Sequence, residues 1–245
     1  MRRAAFTLAF STSYIALGLW LDRFVGGTGQ FFFGVLTAAV LTGLLILHPT
    51  TVRLQTLAVI GFATLGEVVG SLIWGLYTYR LENIPAFVPP GHGIVYLAGF
   101  SLATLVARRS GVLVGVAAVG AAVWAIAGLT VLPTTDVAGA IGCAFLVVVL
   151  TWTRRPVYAG VFVAVAALEF YGTAIGTWTW APVVPGLGFG QGNPPSGVAS
   201  GYVLFDVLAL VLTATGGVAV ARVWRNVFRG SSPDGSLATA ATSID

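Results

Sequence analysis

EVVGSLIWGLYTY (residues 67–79) and EFYGTAIGTWTW (residues 169–180) decide how this chain is read. Each stretch sets one glutamate in an apolar run, places glycine three residues on, and closes on Gly-x-aromatic-x-aromatic. The chain otherwise avoids charge: 57% of its 245 residues are hydrophobic and only 8% are charged. A soluble domain carries roughly 25% charged residues. Two carboxyl groups in the same apolar setting therefore need a reason, and the solvent around them is lipid.

A transmembrane helix takes ~20 predominantly apolar residues. Eight such runs are read along the chain, at 4–20, 31–47, 55–77, 92–107, 111–132, 137–152, 157–178 and 198–220. The expected fold is all-α, a polytopic integral membrane helix bundle. Its first helix is read as retained, because no small-x-small cleavage site precedes Asp22. Every basic residue is arginine, so no lysine exists to form a retinal or pyridoxal Schiff base or to serve a phosphate loop. Cys143 stands alone in an apolar run, which excludes an intrachain disulfide or a Cys-x-x-Cys site. The pI near 9.6 reports arginines at helix ends and implies no nucleic-acid partner.

Arginine accumulates on the cytoplasmic side of membrane helices. Arg2, Arg3, Arg53, Arg108, Arg109, Arg154, Arg155, Arg222, Arg225 and Arg229 fall on one side of the eight runs, and Arg23 and Arg80 on the other. This split places the protein in the cell membrane as a multi-pass chain with both termini cytoplasmic. The segment 221–229 reads as a helix leaving the bilayer, with Trp224 at its interface, and the polar tail 230–245 as disordered.

The two opening stretches belong to a longer match. Glu67, Gly70, Gly75, Tyr77 and Tyr79 correspond in order to Glu169, Gly172, Gly176, Trp178 and Trp180, and VPPGHG (88–93) corresponds to NPPSG (193–197). The chain is thus read as two parallel four-helix repeats, 1–109 and 110–229, related by a pseudo-two-fold along the membrane normal. Glu67 and Glu169 each lie about 12 residues into a span, near mid-bilayer at 1.5 Å per residue. Glu67, Gly70 and Trp74 share a helical face, as do Glu169, Gly172 and Gly176. Small residues on that face point both carboxyls inward, toward a shared cavity.

Ionisable groups at that depth mark a functional site by default, costing ~2.5–3.5 kcal/mol to insert. The competing structural reading is a protonated glutamate bonded across helices as glue. The candidate catalytic residues are Glu67, Glu169, Asp206 and His92, with at least one glutamate protonated at neutral pH. Trp74, Tyr77, Tyr79, Tyr171, Trp178 and Trp180 are the candidate substrate-binding residues, as an aromatic wall able to face a cation; as an interfacial belt they would be merely structural. His48 and His92 fall at opposite ends of their spans, so no metal site is expected. The loop 181–197 is charge-free and rich in glycine and proline, and reads equally as a re-entrant lid or an exposed connection.

Glu67-x-x-Gly70, Gly75-x-Tyr77-x-Tyr79 and the following Pro85-x-x-x-Pro89 resemble the membrane carotenoid hydratases of the bacterioruberin type and, more distantly, the membrane lycopene cyclase domains. The likeness covers about 25 residues and recurs more loosely at Glu169. The chain lacks the Pro-Glu-Glu run of the cyclases and the Thr-Gly-x-Pro-Phe-Gly run of the hydratases. The resemblance implies a cofactor-independent enzyme acting on a lipophilic small molecule, an isoprenoid, carotenoid or other lipid. A buried protonated carboxyl suits protonation of a carbon–carbon double bond. Two other classes fit the same features: a small secondary transporter, or a non-catalytic membrane subunit of an envelope complex.

Overall fold

The computed structural model describes the backbone of residues 1–229 and side chains through residue 214. The expected tail at 230–245, the interfacial placement of Trp224 and the side chains of Arg222, Arg225 and Arg229 lie outside the described residues. Among the described residues, eight α-helices fall on the eight apolar runs: α1 (Arg2–Asp22), α2 (Gly27–Ile46), α3 (Thr50–Glu67), α4 (Val88–Leu105), α5 (Ser110–Thr130), α6 (Val137–Thr153), α7 (Pro156–Ala174) and α8 (Val198–Arg229). Five of the described helical segments are long and apolar enough to cross a membrane: Arg2–Asp22, Gly27–Ile46, Thr50–Ile73, Ala107–Thr130 and Pro156–Ala174. Val137–Thr153 and Val198–Ala214 are apolar but shorter. Large apolar side chains such as Phe31, Phe32, Val116, Val119, Ile126 and Val148 are exposed on the outside of the bundle. Water does not tolerate so broad an apolar surface on a lone chain, whereas lipid does.

Two departures from the all-helical expectation matter for the site. The runs 55–77 and 157–178 do not stay helical to their ends. Tyr77–Tyr79 forms strand β1 and Trp178–Trp180 forms strand β2. The breaks fall at Gly75 and Gly176, at φ of 73° and 75°. That left-handed conformation is open to glycine at little cost and ends a right-handed helix. β1 and β2 pair antiparallel in the register Tyr77↔Trp180, Thr78↔Thr179 and Tyr79↔Trp178. An apolar run alone does not distinguish the last turn of a helix from a short buried strand.

α4 and α7 form the middle of the bundle. α4 packs on α7, α1, α3 and α2, and buries residues nearly all around its axis, from His92 to Ala103. Its crossing with α7 is backbone against backbone. A Cβ on Gly99 would fall 2.6 Å from the Val161 Cα, and one on Gly160 would fall 2.2 Å from the Gly99 carbonyl oxygen. α3 packs on α8 and on α4, and α8 also packs on α7 and α6. The pair of β1 and β2 thus joins the ends of α3 and α7 beside the starts of α4 and α8.

Candidate functional site

The aromatic pairs on the two strands answer the question of the two glutamates. Tyr77 and Tyr79 donate their hydroxyls to Glu67 Oε2, at 2.6 and 2.8 Å. Trp178 and Trp180 donate their indole N–H groups to Glu169 Oε2, at 2.9 and 3.2 Å. Along a strand, residues two apart face the same side. Gly-x-aromatic-x-aromatic therefore delivers two donors to one carboxyl group from one face of the strand pair. Both carboxyls are buried, Glu67 at 5% and Glu169 at 3% exposure.

The glycine three residues after each glutamate makes room for the returning ring. A Cβ on Gly172 would sit 2.0 Å from Trp178 Cη2, and one on Gly70 would sit 3.2 Å from Tyr77 Cε1. The two stretches differ in length: the first donor is ten residues after Glu67 and nine after Glu169. The π-helical turn Val68–Ile73 follows Glu67 directly. A π-turn takes up one additional residue within a helix. It brings Tyr77 back to Glu67 as the shorter connection brings Trp178 back to Glu169.

The second oxygens distinguish the two acids. Glu67 Oε1 lies 3.1 Å from His92 Nε2, a close approach of charged-type groups that falls outside straight hydrogen-bond geometry. Among the described residues, none donates a hydrogen bond to Glu169 Oε1. The sequence places His92 at the outer opening of its helix; the structure instead buries it one turn inside α4, 6% exposed. The Pro89-Pro90 pair starts α4 early enough to place it there.

Glu67, His92, Glu169, Tyr77, Tyr79, Trp178 and Trp180 line one cavity of about 400 Å³. Its wall runs from Tyr14 and Phe33 on α1 and α2 to Gly142 on α6 and Gly201 on α8, passing both glutamates. Three sequence candidates are not among the residues lining it. Trp74 is 43% exposed and donates its indole N–H to the Pro185 carbonyl at 2.9 Å, because the π-turn rotates it off the glutamate face. Tyr171 donates to the Ala16 carbonyl at 3.1 Å and belongs to the smaller apolar cluster that includes Leu19 of α1. Asp206 is buried on α8 one turn beyond Tyr202, which does line the cavity. Tyr202 itself escapes the sequence reading, since a tyrosine in an apolar run carries no local signal.

Two aspartates that carry no sequence signal hold the loops around the cavity. Asp136 caps α6 and accepts from the backbone N–H groups of Gly139, Gly192 and Ser196 at 3.0, 2.9 and 2.6 Å. This fastens the loop 181–197 to the start of α6. The loop also donates from Gln191 Nε2 to the Leu76 carbonyl at 2.8 Å. The loop is tied to both strand-bearing segments, with Leu187 and Phe189 exposed, and none of residues 181–196 lines the cavity. Asp22 plays the corresponding part at the α1–α2 junction. It accepts from Gln30 Nε2 at 2.7 Å and faces Arg80 Nε at 3.5 Å, while Gln30 accepts from Asn83 at 2.9 Å. No group of three or more metal-ligating side chains occurs among the described residues.

No protein-family model, curated protein or solved structure matches the chain. The functional reading therefore stands on the geometry of the cavity.

Proposed function

We propose that this chain is an eight-span membrane enzyme that acts without a cofactor on a lipophilic, isoprenoid-like substrate by acid–base chemistry. The observation that supports it best is the unequal holding of two buried carboxyls at one apolar cavity. Glu169 is fixed through Oε2 by two indoles, with Oε1 free of donors among the described residues. It is the acid: its Oε1 proton passes to a carbon of a substrate double bond. The carbocation so formed faces the rings of Tyr77, Tyr79, Trp178 and Trp180, whose π-faces favour positive charge. Glu67, held by two phenols and set against His92, is the base. It takes the proton of a water that adds to the cation, giving hydration, or a proton from a neighbouring carbon, giving isomerisation or cyclisation. The proton taken by Glu67 then returns to Glu169, so both carboxyls are restored for the next cycle and no net proton is consumed.

A parallel duplication of 1–109 and 110–229 belongs to the same proposal. The strand register supports it, since exchanging Tyr77 with Trp178 and Tyr79 with Trp180 maps the pairing onto itself. The paired loop anchors Asp22 and Asp136 support it as well.

Lipid extracts from cells carrying the gene, lacking it, or carrying Glu169→Gln test the reading. The expected result is a lipophilic product present only with the native chain. The amide introduced by Glu169→Gln retains an acceptor for the two indoles, so the variant accumulates normally while product falls by ~10²–10⁴-fold. Identical extracts from all three, with altered uptake of lipophilic compounds, would make the chain a carrier. Identical extracts and unaltered uptake would leave the subunit reading.

A further inference from the structure

Consecutive helices of this bundle are not packed alike. α5 packs along α6, whereas α1 and α2 touch each other little and each packs on α4 instead. The cavity reaches into the gap between them, where Tyr14, Ile15, Gly18 and Leu19 of α1 and Phe33 and Thr37 of α2 line it. Side chains bridge this gap. The Phe33 ring lies against Gly18, where an added Cβ would fall 2.6 Å from its Cζ, and it stacks on the Tyr14 ring with centroids 6.0 Å apart. Tyr14 Oη and Thr37 Oγ1 are 2.8 Å apart. Tyr14 stands five residues before Leu19, ~7.5 Å along α1. Leu19 shares one apolar cluster with Tyr79 and Trp178, which donate to the two glutamates.

The protons of the Tyr14–Thr37 pair are both committed. A threonine or tyrosine hydroxyl has one proton to donate and lone pairs that accept. Thr37, 2% exposed, donates its proton to the Phe33 carbonyl at 2.7 Å. Tyr14 is therefore the donor in the bond to Thr37, and its oxygen keeps lone pairs with no proton to offer. A ligand group that pairs with it must bring its own proton, as an alcohol does. An ether, ester or ketone oxygen would meet only lone pairs. The wall beside the pair is otherwise apolar, through Ile15, Gly18, Leu19 and Phe33, so a neutral O–H suits it better than a charged donor. Ser200, at the α6–α8 end of the cavity, also has its proton committed, to the Gly197 carbonyl. Its Oγ lies 2.6 Å from where a Cβ on Gly142 would stand, so α6 closes that end.

We propose that the Tyr14–Thr37 pair is the subsite for the hydroxyl end of a lipid alcohol, whose chain runs from the α1–α2 gap along the cavity toward the two glutamates. The alcohol donates to Tyr14 Oη and so fixes the register of its chain against Glu169. This names the substrate class for the proposed function and rests on that reading of the cavity as a site for a lipophilic molecule. Tyr14 and Thr37 are specificity-determining residues that do not touch the reacting atoms.

Competition binding to the purified full chain in detergent micelles, with tritiated farnesol as the label, tests this without turnover. Unlabelled farnesol, farnesyl methyl ether and farnesene share one isoprenoid chain and differ at its end. The native chain is expected to bind farnesol about five- to tenfold more tightly than the ether, the ratio one hydrogen bond supplies. Thr37→Val keeps the branched shape and frees the Tyr14 proton, so the ether gains about five- to tenfold over its native affinity and the preference disappears. Combining Thr37→Val with Tyr14→Phe removes both oxygens; farnesol then loses its advantage while farnesene binds as before. Equal native affinities for farnesol and its ether, or no binding of farnesol, would overturn the subsite, and this comparison needs no variant to fold. An unchanged ether affinity in Thr37→Val, or a preference kept in the double variant, would overturn it as well. Failure of the subsite with product lost in Glu169→Gln leaves the enzymatic reading standing. A preference for the alcohol with unchanged lipid extracts keeps the subsite and overturns the enzymatic reading.

Discussion

Gly172 and Gly70 occupy matching places after their glutamates, yet the rings above them leave different room. The Trp178 ring reaches within 2.0 Å of where a Cβ would lie on Gly172, whereas Tyr77 stays 3.2 Å from that of Gly70. An added methyl at Gly172 must displace an indole that donates to Glu169, and overpacking of this kind costs ~1–3 kcal/mol. At Gly70 a shift of a few tenths of an ångström in the phenol suffices. Gly172→Ala is expected to lower the thermal midpoint clearly and Gly70→Ala little; equal losses would mean the rings are not seated as described. His48 provides a second test at this scale. It lies in the α2–α3 turn, buried, with Nε2 3.4 Å from Thr7 Oγ1. Burial, and then the positive charge of Arg53, hold its pKa below the ordinary 6.5. A depressed histidine binds its proton less readily in the folded chain than in the unfolded one. Its stabilising contribution is present above pH 6.5 and is lost as pH falls through the folded value. Thermal unfolding in detergent should show stability falling on acidification in the native chain, with a smaller fall in His48→Asn.

At the scale of elements, the pair of β1 and β2 matters because it is short. Three residues on each side bring four aromatic donors to two carboxyls and join the ends of α3 and α7. The loop that follows β2 depends on Asp136, whose carboxylate satisfies three backbone N–H groups. An unsatisfied buried donor costs about 1–3 kcal/mol, and Asp136→Ala leaves three. The expected outcome is a large loss of stability, with amide exchange at Gly192 and Ser196 accelerated before that in α7. Asp136→Asn retains one strong acceptor and should fall between. If Gly192 and Ser196 remain as protected in Asp136→Ala as in the native chain, the anchor lies elsewhere.

For the whole molecule, the arginines predict an orientation that reporter fusions can test. Arg53, Arg108, Arg109, Arg154 and Arg155 border the starts of α3, α5 and α7, while Arg23, Arg80 and both strands border the opposite end. If the positive end is cytoplasmic, as the arginine split predicts, the loop 181–197 belongs to the outer side. Reporter fusions ending at Gly190 and at Gly230 are expected to give external and cytoplasmic signals respectively. The same side for both would remove the eight-span arrangement.

Much of the helical framework was legible in the chain itself, because lipid imposes a one-dimensional rule. An apolar run of sufficient length must bond its own backbone, and a helix does so without partners. The eight helices accordingly fall on the eight runs read from composition. The glutamates, too, stood out, since a carboxyl in an apolar run is rare and His92 lay nearby in the matching loop. Sequence spacing did not reveal what the second half of each motif does. Tyr77, Tyr79, Trp178 and Trp180 read as helix-end aromatics until the left-handed Gly75 and Gly176 turn them into strands that pair with each other across about a hundred residues. Trp74, Tyr171 and Asp206 shared the composition of the site but not its location, because a π-turn, a neighbouring carbonyl and one helical turn of depth directed them elsewhere. Tyr202, Asp22 and Asp136 carried no local mark at all. Lipid acts on each segment separately, so the sequence by itself determined where the helices lie; hydrogen bonds between segments far apart in the chain form only once the bundle closes, so only the tertiary structure decided which side chains meet at the cavity.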